Sequence, residues 1–181
     1  MERKLLLGVC GGIACYKICE LVRILKKNNF LVRVIMTEAA TKFVTPLVFQ
    51  TLSDNPVYLD MFLLEKGITM KHISLSRWAD ICVIAPLSAN TLSKIALGLC
   101  DNLLTTVVCA LPSSTKVILV PAMNENMWRN PVIQENTKRL EQIQNYIILK
   151  PEEGDLVIGK GEGRLPPPMK IFEKVMQVLE R

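Results

Sequence analysis

The chain has 181 residues, half of them hydrophobic and 22% charged, with a formal net charge of +5. This composition excludes a disordered chain and is enough for one sizeable core, because a domain of about 150 residues already buries about two-thirds of its unfolded surface. Lys and Arg are scattered without a basic block, and no apolar run reaches the ~18 residues of a membrane span, so nucleic acid and membrane are not expected partners.

Residues 4–10 are a short apolar run that ends at Gly11-Gly12. The run reads directly as a first strand, with no leader before it. Ile18, Leu21, Val22 and Leu25 then recur at i, i+3, i+4 and i+7, with Lys17, Glu20, Arg23 and Lys26 opposite, which predicts an amphipathic helix closed by Asn28-Asn29. Residues 31–36 are β-branched and read as the second strand, with Thr37 at its end. The stretch 38–54 reads as helical and broken near Pro46. Residues 55–71 are the least regular and lead to His72, the single histidine. A strand at 80–85 stops at Pro86, and a helix follows at 88–97 with Ser88 as N-cap. Residues 103–111 predict a more apolar helix, and 116–120 a buried strand that stops at Pro121. A helix at 130–145 has Pro131 in its first turn, where the missing N–H costs nothing. A last strand at 146–149 precedes a Gly- and Pro-rich loop or flap at 151–168. Residues 169–179 close the chain as a helix with Ile171, Phe172, Val175 and Leu179 on one face.

The strands are apolar throughout rather than alternating, as in a parallel sheet covered on both faces. The expected fold is α/β: a doubly wound, flavodoxin-like or Rossmann-like parallel sheet of order 2-1-3-4-5, in a single three-layer domain over 1–181 with a flexible flap at about 151–167. Six cysteines and no leader suggest reduced thiols in a cytoplasmic protein. Cys15 and Cys19 lie one turn apart without further close Cys or His ligands, so core packing is expected and no metal.

Ligands in such sheets bind beyond the carboxyl ends of the strands. The first loop, Gly8-x-x-Gly11-Gly12, runs into a helix whose free N–H groups suit an anion, although a tight strand–helix turn explains the glycines equally well. It lacks the third glycine of the dinucleotide pattern. Ser88, Asn90 and Thr91 put three small polar side chains at one helix start, where capping needs one, and suggest a site for phosphate or ribityl hydroxyls. Thr37 adds another hydroxyl. His72 is the obvious acid or base near neutral pH, or else a structural histidine.

The fourth loop, Pro121-Ala122-Met123-Asn124-Glu125-Asn126-Met127-Trp128, resembles the Pro-x-Met-Asn-x-x-Met-Trp signature of FMN-dependent cysteine decarboxylases. Gly11 to Lys17, Thr37 to Val44, His72-Ile73-x-Leu75, Pro86-x-Ser88-Ala89-Asn90-Thr91 and Asp101 to Thr106 are similar to further segments of that family, so the resemblance covers nearly the whole chain. It implies FMN held by Gly12, Ile13, Ala14, Thr37, Phe43, Ser88, Ala89, Asn90, Thr91, Ala122 and Met123. It also implies a substrate carboxylate on Asn124, with Met127 and Arg164 nearby, and His72 as base or electrostatic partner. The implied substrate is a cysteinyl compound, 4′-phosphopantothenoylcysteine in coenzyme A biosynthesis or a peptide. Oxidation of its thiol to a thioaldehyde lets the carbanion left by CO2 delocalise onto sulfur. The resemblance further implies a trimer or an assembly of trimers with sites between protomers. It implies a phosphopantothenoylcysteine synthetase as fused or separate partner, the chain being a standalone enzyme or one domain of two.

The flap departs from the pattern. Where the coenzyme A enzymes resembled here carry a cysteine that protonates the ene-thiol during its reduction, this chain has Ile158. Three outcomes follow: reduction to phosphopantetheine by another route, release of the ene-thiol, or a non-catalytic regulatory or structural flavoprotein subunit.

Overall fold

Successive residues of the first strand face opposite ways, and both ways are apolar. β1 (Arg3–Val9) turns Leu5, Leu7 and Val9 into one core and Leu6 into another. Such a strand is stable only inside a sheet covered on both faces. The structure, a computed structural model, describes residues 2–62, 70–155 and 160–180. After β1 come α1 (Cys15–Lys27), β2 (Phe30–Met36), the single turn α2 (Glu38–Thr41) and α3 (Pro46–Ser53). β3 (Val57–Tyr58), α4 (Lys71–Trp78), β4 (Ile81–Leu87), α5 (Ala89–Leu97) and α6 (Leu103–Cys109) follow. Then come β5 (Lys116–Pro121), the single turn α7 (Glu125–Trp128), α8 (Pro131–Glu141) and β6 (Tyr146–Ile148). A hairpin of β7 (Glu152–Asp155) and β8 (Lys160–Arg164) precedes α9 (Pro168–Leu179).

Six strands form one parallel sheet in the order β3-β2-β1-β4-β5-β6. Without the two-residue edge strand β3, the order is the expected 2-1-3-4-5. The sequence reverses its direction of winding between β1 and β4, which is where a doubly wound sheet opens a crevice. One face packs on α1, α3 and α9 through Ile18, Leu21, Val22, Leu25, Phe49, Ile171 and Val175. The other packs on α4, α5, α6 and α8 through Leu75, Leu92, Leu104, Val107 and Leu140. The predicted apolar stripe of α1 is fully buried. Each such Leu or Val contributes roughly 1.5–3 kcal/mol, and Leu21→Ala is expected to cost about 2–5 kcal/mol because a cavity is left as well.

Four local features differ from expectation. β4 runs through Pro86 to Leu87, and a shift of register between Ile84 and Leu87 absorbs the missing N–H. α4 starts at Lys71, in a stretch read as irregular. α7 is a single turn within the signature. The 151–168 stretch holds an antiparallel hairpin rather than a loop. Among the described residues, no helix is long and apolar enough to cross a membrane.

Candidate functional site

Backbone hydrogen bonds draw the strand ends together. The Cys10 N–H donates to Pro86 O at 3.2 Å, the Thr37 N–H to Val9 O at 3.0 Å and the Ala122 N–H to Leu87 O at 3.1 Å. Over the ends of β1, β4 and β5 lies a cavity of about 540 Å³, within the range typical of small-molecule sites. Gly12, Ile13, Ala14 and Lys17 form one wall, and Ser88 and Ala89 a second. Ala122, Met123, Asn124 and Met127 form a third, and Gly163, Arg164 and Leu165 of the hairpin and its exit the fourth.

The walls differ in chemistry. α1 begins at Cys15 after Ala14, and no side chain caps it; the Cys15 and Lys17 N–H groups donate to Gly12 O at 3.0 Å and Ala14 O at 3.1 Å, so the positive end of a 13-residue helix reaches the cavity without a polar side chain over it. Neither α1 nor α5 has an acidic residue in its first turn, and Lys17 and Arg164 add two cations. Ala122, Met123 and Met127 add an apolar surface beside Asn124. Nothing lies within 4 Å of the space a Cβ would take at Gly12, so the backbone there faces the open cavity. An anionic tail at the helix starts and a flat apolar ring against Ala122 and Met123 fit this arrangement, as FMN requires.

Ser88 caps α5. Its Oγ accepts the Thr91 N–H at 3.3 Å, and its hydroxyl donates to Thr91 Oγ1 at 3.3 Å. Thr91 is buried and supports the loop from below, and Asn90 is exposed; neither lines the cavity. The Cys10 thiol lies beneath the same loop. Burial pushes its pKa up, and hydrogen bonds with Thr91 and Ser88 pull it only partly back. It is a neutral core group.

Asn124 is exposed and caps α7. Its Oδ1 accepts the Asn126 N–H at 2.9 Å, while its backbone carbonyl accepts the Trp128 N–H at 2.9 Å. Trp128 is buried in the core and anchors the turn. With Oδ1 engaged by the cap, the amide presents its Nδ2 donors, the edge that suits a carboxylate.

The remaining predicted residues lie elsewhere. Thr37 caps α2 through the Ala40 N–H at 3.3 Å and lines a second cavity of about 380 Å³ with Glu38, Asp60, Asp101 and Asn102. Lys94 pairs with Asp101 at 2.5 Å and holds its carboxyl below the usual range. Phe43 is 52% exposed and lines neither cavity. His72, in the first turn of α4, is half-buried and lines neither. Ile158 lies outside the described residues. Arg164, expected near the substrate, is on the hairpin wall of the cavity, whereas Lys17, Gly163 and Leu165 were not anticipated. Lys17 reads as solvent face on an amphipathic helix, and its place in the first turn after a glycine loop was the available signal.

Residues 1–180 match the flavoprotein family. The chain is 39% identical over 180 residues to the "Probable phosphopantothenoylcysteine decarboxylase" of Streptococcus mutans, covering 99% of this chain and 100% of that one. It is 42% identical over 173 residues to the "Coenzyme A biosynthesis bifunctional protein CoaBC" of Bacillus subtilis, covering 95% of this chain but only 42% of that protein. The chain thus spans less than half the length of such bifunctional relatives. Among solved structures it is similar to a mutant of PPC decarboxylase complexed with pantothenoylaminoethenethiol, at 33% identity, TM-score 0.87 and 100% of both chains. It is also similar to the FMN binding protein AtHal3, at 32% identity and TM-score 0.83, over 99% of this chain and 98% of that one. A parallel sheet with a glycine loop, a polar helix start and a signature turn around one cavity accords with these matches: the chain belongs to the flavoprotein family.

Proposed function

We propose that this chain is an FMN-dependent decarboxylase that converts 4′-phosphopantothenoylcysteine toward 4′-phosphopantetheine in coenzyme A biosynthesis. The observation that carries this reading is the single cavity that joins an uncapped helix start and two cations to an oriented Asn124 amide. Gly12, Ile13 and Ala14 at the start of α1, with Ser88 and Ala89, hold the phosphate and ribityl chain of FMN, and Ala122 and Met123 flank its ring. Bound there, FMN supplies the two-electron oxidation of the cysteinyl thiol that makes loss of CO2 feasible.

The chain's own residues position the substrate. Asn124 Nδ2 donates to the carboxylate, and Met127 covers the adjacent carbon chain. Arg164 and Lys17 neutralise anionic groups in the cavity. His72 belongs to the same site by way of a neighbouring copy: in one chain it lines neither of the two described cavities, and a homo-oligomer, a trimer or an assembly of trimers, brings it to the cysteinyl end. The less-than-half coverage of bifunctional relatives supports a phosphopantothenoylcysteine synthetase as partner, fused or separate. The six free thiols suit the reducing cytoplasm.

A second reading concerns the product. Ile158 has no transferable proton, and this favours release of the ene-thiol over its reduction. Mass spectrometry of the product from phosphopantothenoylcysteine decides between them. Loss of CO2 alone marks phosphopantetheine, and a product two hydrogens lighter marks the ene-thiol. A flavin band near ~450 nm accompanies either, because the cofactor carries the chemistry. No turnover of any cysteinyl substrate and no flavin band, even after FMN is added, identifies a non-catalytic subunit instead.

A further inference from the structure

The signature turn and the hairpin meet around one carboxylate. Glu125 opens α7, one residue after Asn124. Its Oε1 pairs with Arg129 Nη2 at 3.0 Å, and Arg129 Nε also reaches Glu162 Oε2 on β8 at 3.5 Å. The Glu162 N–H donates to the same Glu125 Oε1 at 3.4 Å, and the carboxylate fills the space where Gly161 has no Cβ. On the other side of Asn124, the Met123 N–H donates to Gly163 O at 3.0 Å. Gly163 has φ +136, and a Cβ there would collide with Met123 O. β8 is therefore tied to the turn both before and after Asn124. The next residue of β8, Arg164, lines the same cavity as Asn124.

Each tie is modest alone. The Arg129 and Glu162 side chains are 60% and 45% exposed, so that pair is screened by solvent. Acting on one strand, the ties fix the distance between two groups that meet the ligand, and an arrangement fixed before binding avoids the ordering cost at the moment of binding. Glu125 also occupies one of the unspecified positions of Pro-x-Met-Asn-x-x-Met-Trp, so it is a feature of this chain rather than of the signature.

We propose that Glu125 is a positioning residue that clamps β8 to the Asn124 turn and holds Arg164 and Asn124 in register around an anionic substrate. It acts on substrate affinity and not on the chemical step. The affinity part rests on the decarboxylase reading above. The clamp itself does not.

The test uses the purified whole chain loaded with FMN and compares Glu125→Ala and Glu125→Gln with the unaltered protein. Amide hydrogen exchange at Glu162 is read without substrate, and KM and kcat are read with the cysteinyl substrate. In Glu125→Ala, exchange at Glu162 is expected to quicken about tenfold and KM to rise about five- to tenfold, the size of a lost long hydrogen bond to a charged acceptor. The value of kcat stays within about twofold and the flavin spectrum is unchanged, because Glu125 does not touch the reacting atoms. Glu125→Gln keeps an acceptor but not the ion pair. It falls between the two and guards against a folding defect in the alanine variant. Unchanged exchange in both variants overturns the clamp, and a fall in kcat at constant KM overturns the positioning role. If the unaltered chain turns over no cysteinyl substrate, the substrate reading fails, and the exchange comparison still decides the clamp.

Discussion

The two cavities at the strand ends are built from neighbouring loops of one sheet, yet their charges oppose. The larger combines two helix starts without acidic residues, Lys17 and Arg164. The smaller sets Glu38 and Asp60, with Asp101 already paired to Lys94, around Thr37 and Asn102. A phosphate-bearing ligand is drawn to the first and repelled by the second. Position at the end of a strand is therefore not enough to define a site; the sign of the local field selects between loops that look alike in topology. The contrast also separates the predicted residues. Gly12, Ser88, Ala122 and Asn124 meet in one chain, whereas Thr37, Phe43 and His72 stand apart from that cavity.

The sharpest way to break this contrast is to place a negative charge at the binding end of the first cavity. Asn124→Asp keeps the cap of α7, since Asp caps as well as Asn. It sets a carboxylate against the substrate's own, and a like-charge contact costs several kcal/mol. Decarboxylation is expected to fall by at least about a hundredfold with FMN retained, as read by product mass and flavin absorbance. Normal activity removes Asn124 from the site.

Next comes His72→Asn. Loss of a general acid or base lowers the rate by about a hundredfold or more, again with FMN retained. Mixing this variant with Asn124→Asp sharpens the comparison further. A site shared between copies regains part of its activity in mixed oligomers. No recovery confines both residues to one chain.

A smaller effect is expected at the hairpin wall. Gly163→Ala places a side chain at φ +136 and into Met123 O. It is expected to lower stability by about 1–3 kcal/mol and Tm by several degrees. An unchanged melting curve means that β8 does not pack on the signature turn.

The last test lies in the buried core of the sheet, where Cys82 lines neither cavity. Cys82 is buried in β4, and burial pushes its thiol from the ordinary 9.0 up to about 12. The unfolded chain loses this proton first, so the contribution to stability is full below about pH 9 and fades as pH rises toward 12, by about 1.4 kcal/mol per pH unit. Thermal melts from pH 8 to 12 should show a shallower decline in Cys82→Ala than in the unaltered chain. Parallel declines refute the assignment.

How much of this was legible in the sequence follows from which forces shape each element. The face of α1 through Ile18, Leu21, Val22 and Leu25 announces itself because burial imposes a 3.6-residue period. Ser88 announces α5 because a cap is a local interaction. β3 does not, since Val57 and Tyr58 are too short to carry a period and pair only with Val34 and Ile35. The hairpin was missed because β7 and β8 are rich in Gly and Glu and their stability comes from each other and from α7. The same holds at the site. Glycine loops and the signature are contiguous and could be read, and Arg164 was expected through the resemblance, whereas Gly163 is brought in by tertiary contact and Lys17 by a helix start that turns it toward the cavity.

One amide carries two duties on opposite edges. The oxygen of Asn124 folds the turn, its nitrogen is left as a donor, and the residue lines the cavity. Selection for a new substrate therefore meets a short alphabet at this position, since few residues cap a helix and fewer also donate from the far edge. Innovation in this scaffold is pushed outward, to Met127 and to the hairpin, where a change can reshape the chamber without unmaking the turn that builds it.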